Sequence, residues 1–189
     1  MKTPSDQEAQ EALKLLIKWI GDDPHRAELI STPQKVLNAY RRLFCGYQLS
    51  AEEVLRNGIL NCSGCKGMVT LQNINFLSYC EHQMLPIEGI VNIAYIPDEH
   101  IIGISKLTRL IDVFAQRLQV QERLTKQIAD SINTYLKPKG VAVFIEAKHL
   151  CLGHNSDKTT MQTSSMLGVF EIDPNLRQEF FLQIKNKER

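Results

Sequence analysis

Two short segments place thiols beside imidazoles: Cys80-Glu81-His82-Gln83 and His149-Leu150-Cys151. Thiolate sulfur and imidazole nitrogen are preferred zinc ligands, and a catalytic zinc site has three protein ligands and one open position. Cys80 and Cys151 would supply the sulfurs. Position 83, where a second histidine would serve, holds Gln83. A neutral amide oxygen is a poor match for zinc beside thiolates. His154 follows Cys151 at a plausible ligand spacing, and His82 is a further candidate nitrogen. The same residue types also suit a buried cysteine and a core histidine with a backbone partner, so taken alone the pattern leaves both readings open.

These residues need elements to position them. Val141 to Cys151 reads as a strand, in which Val141, Val143, Ile145, Ala147, His149 and Cys151 share one face because side chains alternate. Met68 to Cys80 reads as a second strand, irregular at Gln72-Asn73, and Ile87 to Ile96 as its buried hairpin partner. Pro97-Asp98-Glu99-His100 is a turn. Ser105 is placed to cap a helix with Leu107, Leu110, Ile111, Phe114 and Leu118 on one face. A second helix carries Leu124, Ile128, Ile132 and Tyr135 and breaks at Pro138-Lys139-Gly140. Residues 166–172 make a last strand, and Asp173-Pro174 opens a C-terminal helix.

Two more helices come first. Ser5 and Glu8 can form a capping box ahead of Leu13, Leu16, Ile17 and Ile20, and Gly21 ends that helix. Thr32-Pro33 opens the next, which Gly46 closes. The order is α+β, with a helical segment over 1–60 and the site-bearing domain over 61–189.

A chain of 189 residues is large enough for its own core. With 43% hydrophobic and 23% charged residues it is ordinary for a globular protein. Its net charge of +1 gives no footprint for nucleic acid or an anionic membrane. No apolar run approaches the roughly 18 residues of a membrane span, and the polar N-terminus is unlike a signal peptide. Cytoplasm is the expectation. The odd count of five cysteines argues against a disulfide framework, while Cys62-Ser63-Gly64-Cys65 could be a redox pair or half a zinc site.

Several stretches together resemble one family. They are Thr32-Pro33, Phe44-Cys45-Gly46-Tyr47, Cys80-Glu81-His82 with Leu85-Pro86, and Ala94-Tyr95-Ile96-Pro97. Further along come Ile102-Gly103-Ile104-Ser105-Lys106-Leu107, Gln119-Val120-Gln121-Glu122-Arg123-Leu124-Thr125, His149-Leu150-Cys151 and Gly168-Val169-Phe170. In this order they are similar to GTP cyclohydrolase I. The resemblance implies a tunnelling-fold (T-fold) subunit with N-terminal helices and an antiparallel sheet plus two helices, in a homodecamer with active sites at subunit borders. It implies conversion of GTP to 7,8-dihydroneopterin triphosphate and formate, with zinc supporting attack of water on C8 of the guanine ring.

Residue by residue, the resemblance puts metal ligands at Cys80, Gln83 and Cys151, and proton-transfer histidines at His82 and His149. Purine recognition falls on Gln121 and Glu122. Ser105, Lys106 and Arg109 fall near ribose and triphosphate. On the residues alone, Gln119 to Arg123 would equally suit a polar helix start, and Lys106 with Arg109 a solvated basic stripe. The chain departs from the family's pattern at Gln83 and at Asn155, where a phosphate-holding arginine is expected; Lys158 could replace that charge, though as a point charge rather than a fork. These departures predict weak zinc binding. They open an alternative, a metal-poor relative that binds a guanine or pterin ligand, or an enzyme on a related purine.

Overall fold

A computed structural model describes residues 3–155 and 158–185, and of His154 and Asn155 it describes the backbone only. The chain divides into two compact units, Met1–Cys45 and Gly46–Arg189. The first holds α1 (Asp6–Ile20) and α2 (Thr32–Leu43). Ser5 caps α1, with the Glu8 side chain returning to the Ser5 N–H at 2.7 Å, and Gly21 ends it at φ 105°. α2 stops at Leu43, before the glycine that the sequence points to, because Phe44 already takes the capping position.

The second unit opens with α3 (Ala51–Arg56), which lies within the 1–60 segment that the sequence reading groups with the first two helices. It belongs here because Leu55 is buried in the main core. The strands are β1 (Ile59–Asn61), β2 (Val69–Cys80), β3 (Pro86–Ile96), β4 (His100–Ile102), β5 (Leu118–Gln119), β6 (Gly140–His149) and β7 (Met161–Gly168). Five of them form one sheet in the order β5-β2-β3-β6-β7, antiparallel except for the β2–β5 pair, and β1 with β4 makes a separate two-stranded ribbon. The irregularity predicted near Gln72-Asn73 is a register shift between Leu71 and Ile74, with Asn73 at φ 55°.

One face of the sheet carries the main core. Val141, Val143, Ile145 and Ala147 of β6 meet α4 (Ile104–Ala115) and α5 (Gln121–Leu136) there. Leu124, Ile128, Ile132 and Leu136 recur at helical spacing on α5 and are fully buried; truncating such a residue to alanine costs about 2–5 kcal/mol. Ala142 and Phe144 alternate to the other face, against α6 (Val169–Ile172) and α7 (Pro174–Lys185). Phe144 meets Phe181 edge to face at 5.7 Å.

Four local expectations are corrected. Gly103, not Ser105, caps α4, because the Gly103 N–H is already held by the Gly58 carbonyl and its own carbonyl accepts from Lys106 N–H. The last strand is Met161–Gly168, earlier than residues 166–172. Its polar run from Gln162 to Ser165 hides it in the sequence, and backbone pairing with β6 defines it; the turn at Gly168, φ 61°, then sends the chain into α6. Cys151 lies in a 3-10 segment, Leu150–Asn155, beyond the end of β6. Cys62 and Cys65 are joined as a disulfide.

Candidate active site

The sheet's connectivity brings the chemically interesting residues to one rim. Cys80 ends β2 and pairs with Gln119, two residues before α5 begins. Antiparallel pairing sets Ile87, at the start of β3, opposite His149 at the end of β6, and β7 begins at Met161 opposite Ala147. Five strand ends and one helix start therefore share an edge.

The Glu81 to Leu85 loop is folded back on this rim. The Cys80 N–H donates to the Leu85 carbonyl at 2.8 Å, the Met84 N–H to the Cys80 carbonyl at 2.7 Å, and the Glu81 N–H to the Gln119 carbonyl at 3.0 Å. Cys80 is buried; Glu81, His82 and Gln83 are exposed. His82 Nδ1 lies 3.5 Å from Cys80 Sγ. Burial, then the Cys80 charge and the Cys80–Cys151 hydrogen bond, push the Cys151 thiol above its ordinary value.

His149 is half-buried, and its Nε2 lies 2.8 Å from Gln121 Oε1. The Gln121 amide nitrogen is directed at the Ile145 carbonyl, the Met161 carbonyl and Thr163 Oγ1, at 3.2, 3.0 and 3.1 Å. With its nitrogen so committed, Gln121 presents oxygen to the imidazole, and His149 Nε2 must carry the hydrogen. Nδ1 is then the basic nitrogen. Burial holds the imidazole below its ordinary range, and the Glu122 carboxylate opposes this without overcoming it. A neutral histidine with a fixed tautomer can take up a proton at one defined atom.

A second network had only an indirect sequence signal, the polar run from Gln119 to Arg123. Gln119 donates to the Phe114 carbonyl at 3.0 Å and to Gln127 Oε1 at 2.7 Å, and accepts from Arg123 Nε at 2.9 Å. Arg123 also pairs with Glu81, whose carboxyl is held below its ordinary range by that contact. The loop after Cys80 is thereby tied to the first turn of α5, where Gln121 and Glu122 stand.

Ser105, Lys106 and Arg109 are not part of this rim. They occupy the first turns of α4, whose other end leads to β5. A helix of 12 residues spans about 18 Å, so one subunit separates them from Cys80 by about that length. Lys106 lies over Gly58, where an added Cβ would fall 2.2 Å from Lys106 Cγ. The side chains of His154 and Asn155 lie outside the described residues. Lys158 is exposed.

The donors supply two of the three protein ligands that a catalytic zinc site uses. Two adjacent thiols, of which Cys151 resists ionising beside Cys80, suit a soft divalent cation, which favours thiolates. A third comparable ligand is not assembled: among the described residues no group of three or more His, Cys, Asp or Glu could hold a metal ion.

Thiols, a neutral imidazole and a carboxylate are the kinds of group that proton transfer and hydrolysis use. The profile of the family described as GTP cyclohydrolase I matches residues 9–185. The chain is 44% identical over 183 residues to GTP cyclohydrolase 1 of Rickettsia prowazekii, covering 95% of this chain and 96% of that protein. It is 43% identical over 187 residues to GTP cyclohydrolase 1 of Bartonella quintana, covering 97% and 91%. It belongs to the GTP cyclohydrolase I family, and its α+β sheet with two covering helices is a T-fold subunit. The archaeosine synthase QueF-Like in its apo form is similar over 53% of this chain and 93% of that chain, with 17% identity and a TM-score of 0.45.

Proposed function

We propose that this enzyme opens the imidazole ring of GTP, releases C8 as formate, and yields 7,8-dihydroneopterin triphosphate after rearrangement of the ribose. The observation that carries this reading is the rim itself, where Cys80, Cys151, His149 and Gln121 converge on a chain that matches the family over residues 9–185.

His149 is the residue best prepared to move a proton. Its Nε2 hydrogen is held by Gln121, which leaves Nδ1 as the base. His82, exposed beside Cys80, is the second proton carrier. Glu122, at the first turn of α5, accepts hydrogen bonds from the guanine edge, with Gln121 beside it. A carboxylate there selects guanine over adenine, because adenine offers the wrong donors. Cys80 and Cys151 would hold zinc, with Gln83 at the position of the third ligand. Zinc, when bound, supplies Lewis acidity.

Ser105, Lys106 and Arg109 serve the ribose and triphosphate of a site completed by a neighbouring subunit, since their own rim is a helix length away. This reading requires a homo-oligomer, and we assign a decamer. Cys80 and Cys151 are free thiols although Cys62 and Cys65 are bridged, and we assign the cytoplasm.

The test is direct. Purified protein with added zinc is incubated with GTP or ATP. Formate release and the fluorescence of the oxidised pterin are followed. Turnover of GTP alone is the outcome of this reading. Tight GTP binding with no formate under zinc would replace it with a binding role, and equal turnover of ATP would remove the role of Glu122.

A further inference from the structure

The Cys62-Ser63-Gly64-Cys65 turn has no part in the chemistry above, yet it is built for chemistry of its own. The two Cα atoms are 5.7 Å apart and the sulfurs are bonded, a separation that a disulfide spans without backbone movement. Gly64 holds φ 92°, a conformation that L side chains rarely adopt. The Cys65 N–H returns to the Cys62 carbonyl at 3.3 Å. Both cysteines are half-buried and the residues between them are exposed, so reagents in solution can reach the bond.

What the turn holds gives it a consequence. Its first cysteine continues directly from β1. The Cys62 N–H donates to the Glu99 carbonyl at 2.8 Å, Asn61, Leu60 and Ile59 pair with His100, Ile101 and Ile102, and the Gly103 N–H donates to the Gly58 carbonyl at 3.1 Å. This ribbon has two strands of three residues each, with Ile102 in the main core and Ile59 packed against it, and pairing over so few residues is marginal on its own. Its far end fixes the start of α4, with Lys106 packed over Gly58.

We propose that Cys62 and Cys65 are a reversible oxidation site, and that the disulfide fastens the β1–β4 ribbon and with it the first turn of α4. The oxidant is a low-molecular-weight disulfide of the glutathione class. One cysteine thiolate attacks the reagent disulfide and expels one thiolate. The second cysteine thiolate attacks the resulting mixed disulfide and expels the other. The protein pair loses two electrons and two protons, and the reagent gains both as two thiols. Excess reduced thiol runs the exchange backwards. The bridge closes a short loop, so its effect is on local order more than on global stability. The further step, that the switch changes how Lys106 meets phosphate, rests on the function proposed above; the oxidation site does not.

The full-length protein is equilibrated in glutathione buffers from fully reduced to fully oxidised, blocked with an alkylating reagent and mapped by peptide mass. Mapping separates this pair from Cys80 and Cys151, whose thiols also face each other. Amide exchange is followed in the same samples. The peptide with Cys62 and Cys65 is expected to change from doubly alkylated to bridged across the series. Exchange at residues 58–62 and 99–103 should be severalfold faster in the reduced form. The Cys62→Ser/Cys65→Ser protein should exchange at the fast rate in every buffer. A pair that stays reduced throughout, or bridged until the protein unfolds, overturns the proposal. So does a double variant that exchanges as slowly as the oxidised protein. Absence of GTP turnover would remove only the link to phosphate.

Discussion

His149 Nε2 and Gln121 Oε1 are 2.8 Å apart, and the rest of the Gln121 amide is spent on β6 and β7. The tautomer of the histidine is therefore dictated by backbone carbonyls that never touch it. Gln121→Leu should leave the Ile145 and Met161 carbonyls short of a buried partner, costing roughly 1–3 kcal/mol, and should free the imidazole to rotate. Denaturant unfolding checks the first effect. The second predicts a fall in kcat well beyond any change in KM for GTP. Equal losses in Gln121→Leu and Gln121→Glu would show that position 121 contributes packing and not tautomer control, since glutamate can still accept from Nε2–H.

Arg123 joins Gln119 to Glu81, and lysine cannot make both contacts at once. Because the ion pair with Glu81 is exposed, Arg123→Lys should leave thermal unfolding nearly unchanged. The loop from Glu81 to Leu85 should loosen, seen as faster amide exchange, and turnover should fall severalfold. Unchanged turnover with a looser loop would show that the tie is not needed for the site.

Gln83→His restores a strong nitrogen ligand beside two thiols. Zinc affinity, measured by competition with a chromophoric chelator, should rise by more than about tenfold, since even outer-shell partners of a metal contribute 10–100-fold. An unchanged affinity would mean that residue 83 does not reach the metal and that a histidine elsewhere already does.

Tyr95 is buried in the main core and its hydroxyl accepts from the Ile102 N–H at 3.3 Å. Burial raises it above its ordinary 10.0, against the weaker effect of that hydrogen bond. The unfolded chain releases this proton first as pH rises, so the contribution to stability is complete below 10.0 and is lost as pH climbs through the folded value. Ultraviolet difference titration should show a late-ionising tyrosine, missing in Tyr95→Phe. A Tyr95→Phe protein with the same alkaline loss of stability would place its origin elsewhere.

The sequence shows the large elements and misses the small ones for a common reason. α5 is legible because Leu124, Ile128 and Ile132 repeat at helical spacing and are all buried. β6 is legible because its core face alternates without a break from Val141 to Ala147. β1, β4 and β5 have two or three residues each, too few for any period, and exist only through pairing with distant strands. The start of β7 is polar and has no apolar signature. At the site, the residue types near Cys80 and His149 are plain in the chain. Which atom of Gln121 faces His149, and the tie from Arg123 to Glu81, depend on the closed sheet.

Cys80 ends β2 and Cys151 follows the end of β6, far apart in the chain, and they become neighbours only after β3 has zipped to both β2 and β6. Local segments of the unfolded chain offer at most one of these thiols, with a histidine two residues away. A metal ion cannot therefore nucleate this fold as it does in small zinc modules. Any ion that these thiols hold would be taken up last in the life of the subunit, and a loaded thiol pair would certify that the sheet has been assembled in its correct order.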